Sequence, residues 1–245
     1  MVNTIFQSKL LIGIISYVVF IISASTHEYS HARASYELGD KTARDLGRLT
    51  LNPLAHIDIF GTVILPIMAI FTGIPLIGFM KAVPVNSYNL KNRERDQAII
   101  AFAGPFSNLI IAIIAFIIIK VATLKIDGTF LIYKFIILLQ ENNNIITSIL
   151  LNFIPVLLSF LIMFYIINIM LMFFNLLPFP PLDGGWILRF LLSDSKRAIY
   201  DKIYPYGFLI LYALLFAGIL GTIFDFIYSI ANSFLGDSFK VILSL

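Results

Sequence analysis

Residues 10–36 read LLIGIISYVVFIISASTHEYSHARASY. The first half of this stretch is almost entirely apolar, whereas the second half carries two histidines and a glutamate within five residues. An ionisable side chain at the centre of a membrane helix costs roughly 3 kcal/mol, so such residues generally mark a functional site. The stretch therefore predicts a membrane helix that ends in a polar site.

The whole chain has the composition of a membrane protein. Of its 245 residues, 59% are hydrophobic and 13% are charged, and the mean hydropathy is +0.93. A soluble domain could not cover its exterior with so few polar groups. Several apolar runs match the roughly 20 residues that a helix needs to cross a bilayer. They are residues 9–32, 59–79, 97–119, 149–174 and 205–233.

These runs predict an all-α polytopic membrane protein with about five to six transmembrane helices, forming a single domain over residues 1–245. A weaker run, 129–139, carries Lys134 and is too short to span alone. The run 59–79 holds Gly61, Pro66, Gly73 and Pro75, which favours a re-entrant element over a simple span. We expect the first run to be a permanent helix, because the polar motif stands where a signal peptide would have its cleavage site.

Basic residues predict the orientation of the chain. They cluster in the loops 33–58, 80–96 and 184–204, and the positive-inside rule places all three in the cytoplasm. The runs 9–32 and 149–174 then both end at the cytoplasmic side. The net charge of +3 gives no indication of nucleic-acid binding. Since the chain contains no cysteine, a metal site would use histidine and carboxylate ligands.

His27, Glu28 and His31 form an HExxH pattern. Residues four apart lie on one face of a helix, so both imidazoles can reach one metal ion. Glu28 is badly angled for a ligand but can take a proton from water at the metal. Two histidines that only pack against a neighbouring helix are the ordinary alternative. Three ionisable residues in a membrane helix favour the metal site.

A catalytic zinc usually has three protein ligands and one open position. The candidates for the third ligand are His56, Asp58, Asp183 and Asp225. Asp183 stands out because it follows the run 149–174 in the motif NLLPFPPLDGGW, in which the prolines favour an extended approach. Gly184 and Gly185 would let another helix come close. The alternative for Asp183 is an N-cap of a short helix, 184–192.

Several motifs in order resemble the site-2 protease family of intramembrane zinc metalloproteases, in its short bacterial form without a PDZ or CBS domain. They are HEYSHA, GDKTARDLGRLTLNPLAHIDIFGTVILP, GFMKAVPVN, AGPFSN and NLLPFPPLDGGW. The resemblance runs from about residue 20 to 205. It implies that His27, His31 and Asp183 hold one zinc ion and that Glu28 is the general base.

The resemblance also assigns residues outside this set. Asn175 matches an asparagine near the reacting carbonyl and would stabilise the oxyanion, although a helix C-cap is an equal alternative. Residues 78–86, GFMKAVPVN, are similar to a small membrane-associated β-hairpin whose edge can pair with an extended substrate. Asn108 is placed near the site, with helix packing as its alternative. His56 either supports the site or is a solvated loop residue.

The resemblance implies hydrolysis of a peptide bond within or next to a transmembrane segment, near the cytoplasmic leaflet of a bacterial inner membrane. The expected partners are a transmembrane protein or peptide substrate and the lipid bilayer. An ion or metal transporter using the same cluster is the alternative from another class. A glutamate between two ligand positions favours hydrolysis, and it also argues against a catalytically inactive relative. The sequence indicates neither the substrate nor the oligomeric state.

Overall fold

The computed structural model describes residues 2–72, 78–124 and 153–235, and this part of the chain is helical. The helices are α1 (Val2–Glu37), α2 (Thr42–Asp45), α3 (Leu65–Thr72), α4 (Arg93–Thr123), α5 (Phe153–Asn175), α6 (Asp183–Leu191), α7 (Asp194–Ile203), α8 (Gly207–Phe216) and α9 (Ile219–Leu235). A π-helical turn, Ile59–Ile64, leads into α3. Single 3-10 turns cover Pro53–Ala55, Ser87–Asn89 and Tyr204–Tyr206.

Three of the described helices are long and apolar enough to cross a membrane. They are Ile12–Glu37 within α1, the whole of α4, and Val156–Asn175 within α5. Residues 194–216 and α9 meet at a bend of 75° and count as a fourth candidate if they form one broken span. The bend includes Gly218, whose φ of +74° favours glycine. Five to six spans were predicted for the whole chain, and the predicted run 129–139 lies outside the described residues.

Small side chains hold the central helices together. α4 packs against both α1 and α5, and α1 also contacts α5. Ala112 and Ala115 of α4 pack with Ile162 of α5 and with Ala231 and Leu235 of α9. Inside a bilayer the hydrophobic effect does not drive helices together, so close packing of small residues supplies much of their attraction. This cluster fixes α4 against α5 and α9.

The run 59–79 starts with the six-residue π-helical turn and continues as the eight-residue helix α3. At 1.5 Å per residue these elements are too short to cross the roughly 30 Å of hydrocarbon. Residues 73–77 lie outside the described part, so the predicted re-entrant path stays a prediction.

The β-hairpin prediction was wrong for the described residues, which contain no strand. Residues 78–86, here called the extended segment, are extended but have no strand partner. Their backbone groups bond instead to the loop before α3. Phe79 N–H donates to Gly61 O at 3.2 Å, and Lys81 N–H donates to His56 O at 2.9 Å. Because these groups are taken, a second strand cannot pair with them.

Two buried charged side chains hold the extended segment and the turn after it. Arg48 donates to the carbonyl oxygens of Lys81 and Ala82. Asp40, fully buried beyond the end of α1, accepts hydrogen bonds from five donors. These donors are Ser35 Oγ, Thr42 N–H, Thr42 Oγ1, Asn86 N–H and Asn89 Nδ2. The extended segment is therefore fastened at both ends to the region after α1.

Candidate metal centre

The structure brings His27, His31 and Asp183 together at the end of α1 and the start of α6. The Nε2 atom of His27 lies 3.1 Å from Oδ2 of Asp183, and Nε2 of His31 lies 3.3 Å from the same oxygen. Both histidines are buried, with 6% and 8% of their surface exposed. The one-turn spacing on α1 therefore aims both imidazoles at a single carboxylate oxygen. Among the described residues, this is the one cluster of three potential metal ligands.

The sequence around Asp183 explains how α6 reaches this place. Asp183 is the first residue of α6, and the N-cap position belongs to Leu182, which makes no side-chain capping bond. The N-cap alternative for Asp183 is therefore wrong. A Cβ atom on Gly184 would collide with the carbonyl oxygens of Leu176 and Leu177. Gly184 therefore lets α6 start directly against the end of α5, while the place of a Cβ atom on Gly185 is taken by the hydroxyl group of Tyr200 on α7, as the prediction of a close neighbouring helix requires.

The electrostatic surroundings keep Asp183 ionised. Burial raises the pKa of this carboxyl group, but the attraction of His31 and His27 outweighs burial. The pKa of Asp183 consequently lies below its usual range. This lowering belongs to the metal-free cluster, in which protons on the imidazoles provide the positive charge that a bound cation would otherwise provide.

Both imidazoles are oriented through their second nitrogen by α4. His31 Nδ1 lies 2.7 Å from the backbone oxygen of Ile100, and His27 Nδ1 lies 2.6 Å from Oδ1 of Asn108. An oxygen acceptor at Nδ1 requires that nitrogen to carry the proton. In the neutral form of each ring, which is the form that binds a metal, the lone pair is then on Nε2 and faces Asp183. A hydrogen bond to the other ring nitrogen is the usual way in which proteins orient metal-binding histidines.

The chemistry of the cluster itself, apart from the HExxH pattern, fits a zinc site. Asp183 Oδ2 is buried, and its neighbours at 3.1 and 3.3 Å are the Nε2 atoms of His27 and His31. This oxygen faces the lone pairs of both Nε2 atoms. Three electron-rich atoms so close together repel one another unless a cation or protons lie between them. Two imidazoles and a carboxylate, without thiolate, suit zinc. The residues present therefore fit this ion.

A glycine of α4 keeps the space beside these atoms open. A Cβ atom on Gly104 would lie 2.6 Å from Nε2 of His27 and would also overlap Nε2 of His31. Sequence reasoning missed Gly104, although it belongs to the motif AGPFSN. Its role depends on how closely α4 approaches α1, and the sequence pattern contains no measure of that distance.

Glu28 points to the extended segment. Its Oε2 atom accepts a hydrogen bond from Val83 N–H at 3.0 Å. The backbone of the extended segment therefore fixes the direction of this carboxylate. A carboxylate at this place can act as a base toward water in the site.

Asn175 lies at the end of α5 and bonds to its own helix. Its Nδ2 atom donates to Leu171 O at 2.9 Å, within the last turn. This contact matches the alternative in which Asn175 caps the C-terminal end of its helix. Donation to an oxyanion would require the amide to rotate away from Leu171.

The other candidate ligands lie elsewhere. His56 is fully buried rather than solvated, and its Nε2 contacts Thr50 O at 2.8 Å. Asp58 caps the π-helical turn through Phe60 N–H and Gly61 N–H. Asp225 is exposed on α9. None of the three belongs to the cluster of potential ligands.

Both predictions for Asn108 describe part of its role. It contacts His27, and its Nδ2 atom also donates to Oδ1 of Asn168 on α5 at 2.8 Å. Asn168 and its partner Ser23 were missed by sequence reasoning. The available signal was a polar residue inside an apolar run, which does not indicate a partner.

Comparisons with known proteins cover most of the chain. The family described as “Peptidase family M50” matches residues 15–218. A Bacillus subtilis (strain 168) protein named “Putative zinc metalloprotease YwhC” is 33% identical over 205 residues, which are 84% of this chain and 81% of that protein. A Mycolicibacterium smegmatis (strain ATCC 700084 / mc(2)155) protein named “Putative zinc metalloprotease Rip2” is 32% identical over 98 residues, 39% of this chain and 36% of that protein. No solved structure gives a significant match.

Proposed function

The chain belongs to peptidase family M50, the site-2 protease family, and we propose that it hydrolyses peptide bonds within or next to transmembrane segments of membrane proteins. One observation carries the proposal. Nε2 of His27 and Nε2 of His31 converge on the buried Oδ2 atom of Asp183, at 3.1 and 3.3 Å. The names of the two relatives, both zinc metalloproteases, support the same activity.

We assign one zinc ion per chain to His27, His31 and Asp183, which leaves a fourth position open. When bound, zinc supplies a Lewis acid that polarises a carbonyl group and lowers the pKa of water toward about 7. Glu28 accepts the proton of the attacking water and returns it to the leaving amine. Its hydrogen bond to Val83 N–H supports this role, because it holds in a fixed orientation a carboxylate whose residue directly follows the ligand His27.

Asn175 is the proposed oxyanion donor. Its amide would leave Leu171 O and donate to the negative oxygen that develops on the scissile carbonyl. Its place at the end of α5, eight residues before Asp183 in the chain, supports this assignment.

The proposed location is a bacterial inner membrane, with the site toward the cytoplasm. The cluster lies near the end of the candidate span Ile12–Glu37. The following loop carries Lys41, Arg44 and Arg48, which supports this orientation by the positive-inside rule. The proposed partners are the lipid bilayer and a transmembrane protein or peptide substrate, without nucleic acid.

The transporter alternative gains no support from the described residues. Ser23, Asn108 and Asn168 continue from the site into the helix bundle, but all three are neutral. They are also hydrogen-bonded to one another. These three residues therefore do not form a charged path for ions.

Metal content and cleavage together test the proposal. We would purify the protein in detergent and measure zinc per chain for the wild type, Asp183→Ala and Asp225→Ala. The wild type and Asp225→Ala, which removes an exposed carboxylate outside the cluster, should hold about one zinc per chain. Asp183→Ala should lose it. Zinc-loaded wild type should cleave a transmembrane peptide, and a chelator should abolish cleavage.

Two results would contradict specific parts of the proposal. A folded wild type without zinc would exclude the metalloprotease mechanism. Zinc retained by Asp183→Ala would show that the third ligand is a different residue.

A further inference from the structure

We propose that Asn168 is a positioning residue that keeps the proton of the His27 ring on Nδ1, so that the lone pair of Nε2 faces the metal. This inference rests on the proposed zinc site. Asn168 acts on His27 through Asn108. The side chains of these three residues form a hydrogen-bonded chain, here called the amide relay. The relay joins α5 to α4 and α4 to α1.

The relay is fully enclosed by the helices. Asn168 and Asn108 have no exposed surface, and neither does Ser23, which lies one turn before His27 on α1. Asn108 Nδ2 donates to Asn168 Oδ1 at 2.8 Å, and Asn168 Nδ2 donates to Ser23 Oγ at 2.8 Å. Asn108 Oδ1 contacts His27 Nδ1 at 2.6 Å. Water is therefore not available to replace a lost partner.

The direction of the relay starts at a backbone carbonyl. Phe164 O lies 2.8 Å from Asn168 Nδ2, and a carbonyl oxygen can only accept. The Nδ2 group of Asn168 must therefore face Phe164, so its Oδ1 atom faces Asn108. Asn108 then presents its own Nδ2 to Asn168 and its Oδ1 to His27. An acceptor at Nδ1 of His27 leaves the lone pair on Nε2, toward Asp183.

The two histidine ligands differ in the kind of acceptor that faces their Nδ1 atom. His31 Nδ1 contacts Ile100 O directly, and a backbone oxygen cannot reverse its role. His27 depends on a side-chain amide that can flip. Asn108 has one other acceptor, Ser23 O, at the longer distance of 3.4 Å. If Asn108 flipped, its Nδ2 would face Nδ1 of His27, and the Nε2 atom of His27 would carry a proton instead of a lone pair.

The first test measures zinc affinity by competition with a chelator in detergent. Asn168→Leu keeps the approximate volume of the side chain but removes every hydrogen-bonding group. We expect it to weaken zinc binding by roughly 10-fold, the lower end of the range for outer-shell partners of metal ligands. Ser23→Ala should bind zinc like the wild type, because Phe164 O still orients Asn168.

Tyr165→Phe is the matched control. Tyr165 is also buried on α5, and its hydroxyl group donates to Ala231 O at 3.0 Å. The substitution removes a buried interhelical hydrogen bond of the same helix without touching the amide relay. We expect it to leave zinc affinity unchanged. A loss equal to that of Asn168→Leu would show general loosening of the bundle and would overturn the inference.

The second test reads the imidazole nitrogens by ¹⁵N NMR in the zinc-loaded protein, which has only three histidines to assign. The wild type should show a protonated Nδ1 and a zinc-bound Nε2 for both ligands. In Asn168→Leu, the His27 signals should change while those of His31 stay. Wild-type affinity together with unchanged His27 signals in Asn168→Leu would overturn the inference. A wild type that binds no zinc would instead refute the proposed function on which it rests.

Discussion

The substitution Gly104→Ala should abolish zinc binding while leaving the helix bundle folded. The added Cβ atom would lie 2.6 Å from Nε2 of His27, whereas ordinary contact begins at about 3.4 Å. Relief of this overlap needs a movement of about 0.8 Å, the difference between the two distances. Zinc sites tolerate deviations of only about 0.2 Å in their ligand distances. The required movement is several times larger, so we expect a lost site and not merely a weakened one.

Gly221→Ala is the matched control for this substitution. Gly221 lies in α9, and a Cβ atom there would meet nothing within 4 Å. Alanine is favoured over glycine within a helix by about 1 kcal/mol, a benefit that both substitutions share. Zinc per chain should fall from about one to near zero in Gly104→Ala and stay at about one in Gly221→Ala. Circular dichroism should show unchanged helix content in both.

One result would refute the reasoning about Gly104. If Gly104→Ala bound one zinc per chain with wild-type affinity, the ion would have to sit away from the space between the two Nε2 atoms. Loss of zinc together with loss of helix content would instead mean that the packing of α4 on α1 fails.

Three further predictions concern the surroundings of the site. Glu28→Gln should retain about one zinc per chain but lose cleavage by at least roughly 100-fold, because an amide cannot accept the proton; cleavage at the wild-type rate would refute the role of Glu28. Burial raises the pKa of Asp40, but hydrogen bonds from Thr42, Asn89 and Asn86 outweigh burial and hold this pKa at about 2. Ionised Asp40 thus adds about 2 kcal/mol to the free energy of unfolding above about pH 4, and this contribution is lost as the pH falls toward 2. The free energies of unfolding of the wild type and Asp40→Asn should therefore differ most above pH 4 and approach each other as the pH falls toward 2. A difference that does not change with pH would contradict this. Arg48→Met should speed hydrogen exchange across the extended segment, since the carbonyl groups of Lys81 and Ala82 lose their donor; unchanged exchange would show that other contacts hold the segment.

The sequence predicted the parts of the site that follow from local periodicity. His27 and His31 are one helical turn apart, so their shared face follows from the geometry of α1 alone. The proximity of Asp183 followed from topology, because two runs were predicted to end on the same side of the membrane. The structure places these three side chains together, whereas their role as zinc ligands stays a prediction.

The errors concern features that depend on distant parts of the chain. The extended segment resembled a β-hairpin, but its backbone partners are His56 O and Gly61 O, and Arg48 donates to it from further away. No local pattern in residues 78–86 indicates these partners. The bend at Gly218 likewise depends on a positive φ that the sequence run 205–233 does not reveal.

Gly104 and Asn168 could not be assigned from the sequence for a different reason. A glycine and an asparagine in membrane helices ordinarily indicate close packing. Their relation to the histidines appears only when three helices are placed to within an ångström. Sequence patterns indicate which face of a helix is special, but they do not measure how near another helix comes.

The wide spacing of the site along the chain also sets the order in which it can be assembled during synthesis. His31 is made early, Ile100 and Asn108 follow, then Asn168, and Asp183 emerges 152 positions after His31. At roughly 5 to 20 residues per second, this interval lasts roughly 8 to 30 s. During that time the nascent chain has the two histidines but not the carboxylate. A ribosome must therefore add 152 residues after His31 before the third member of the cluster exists.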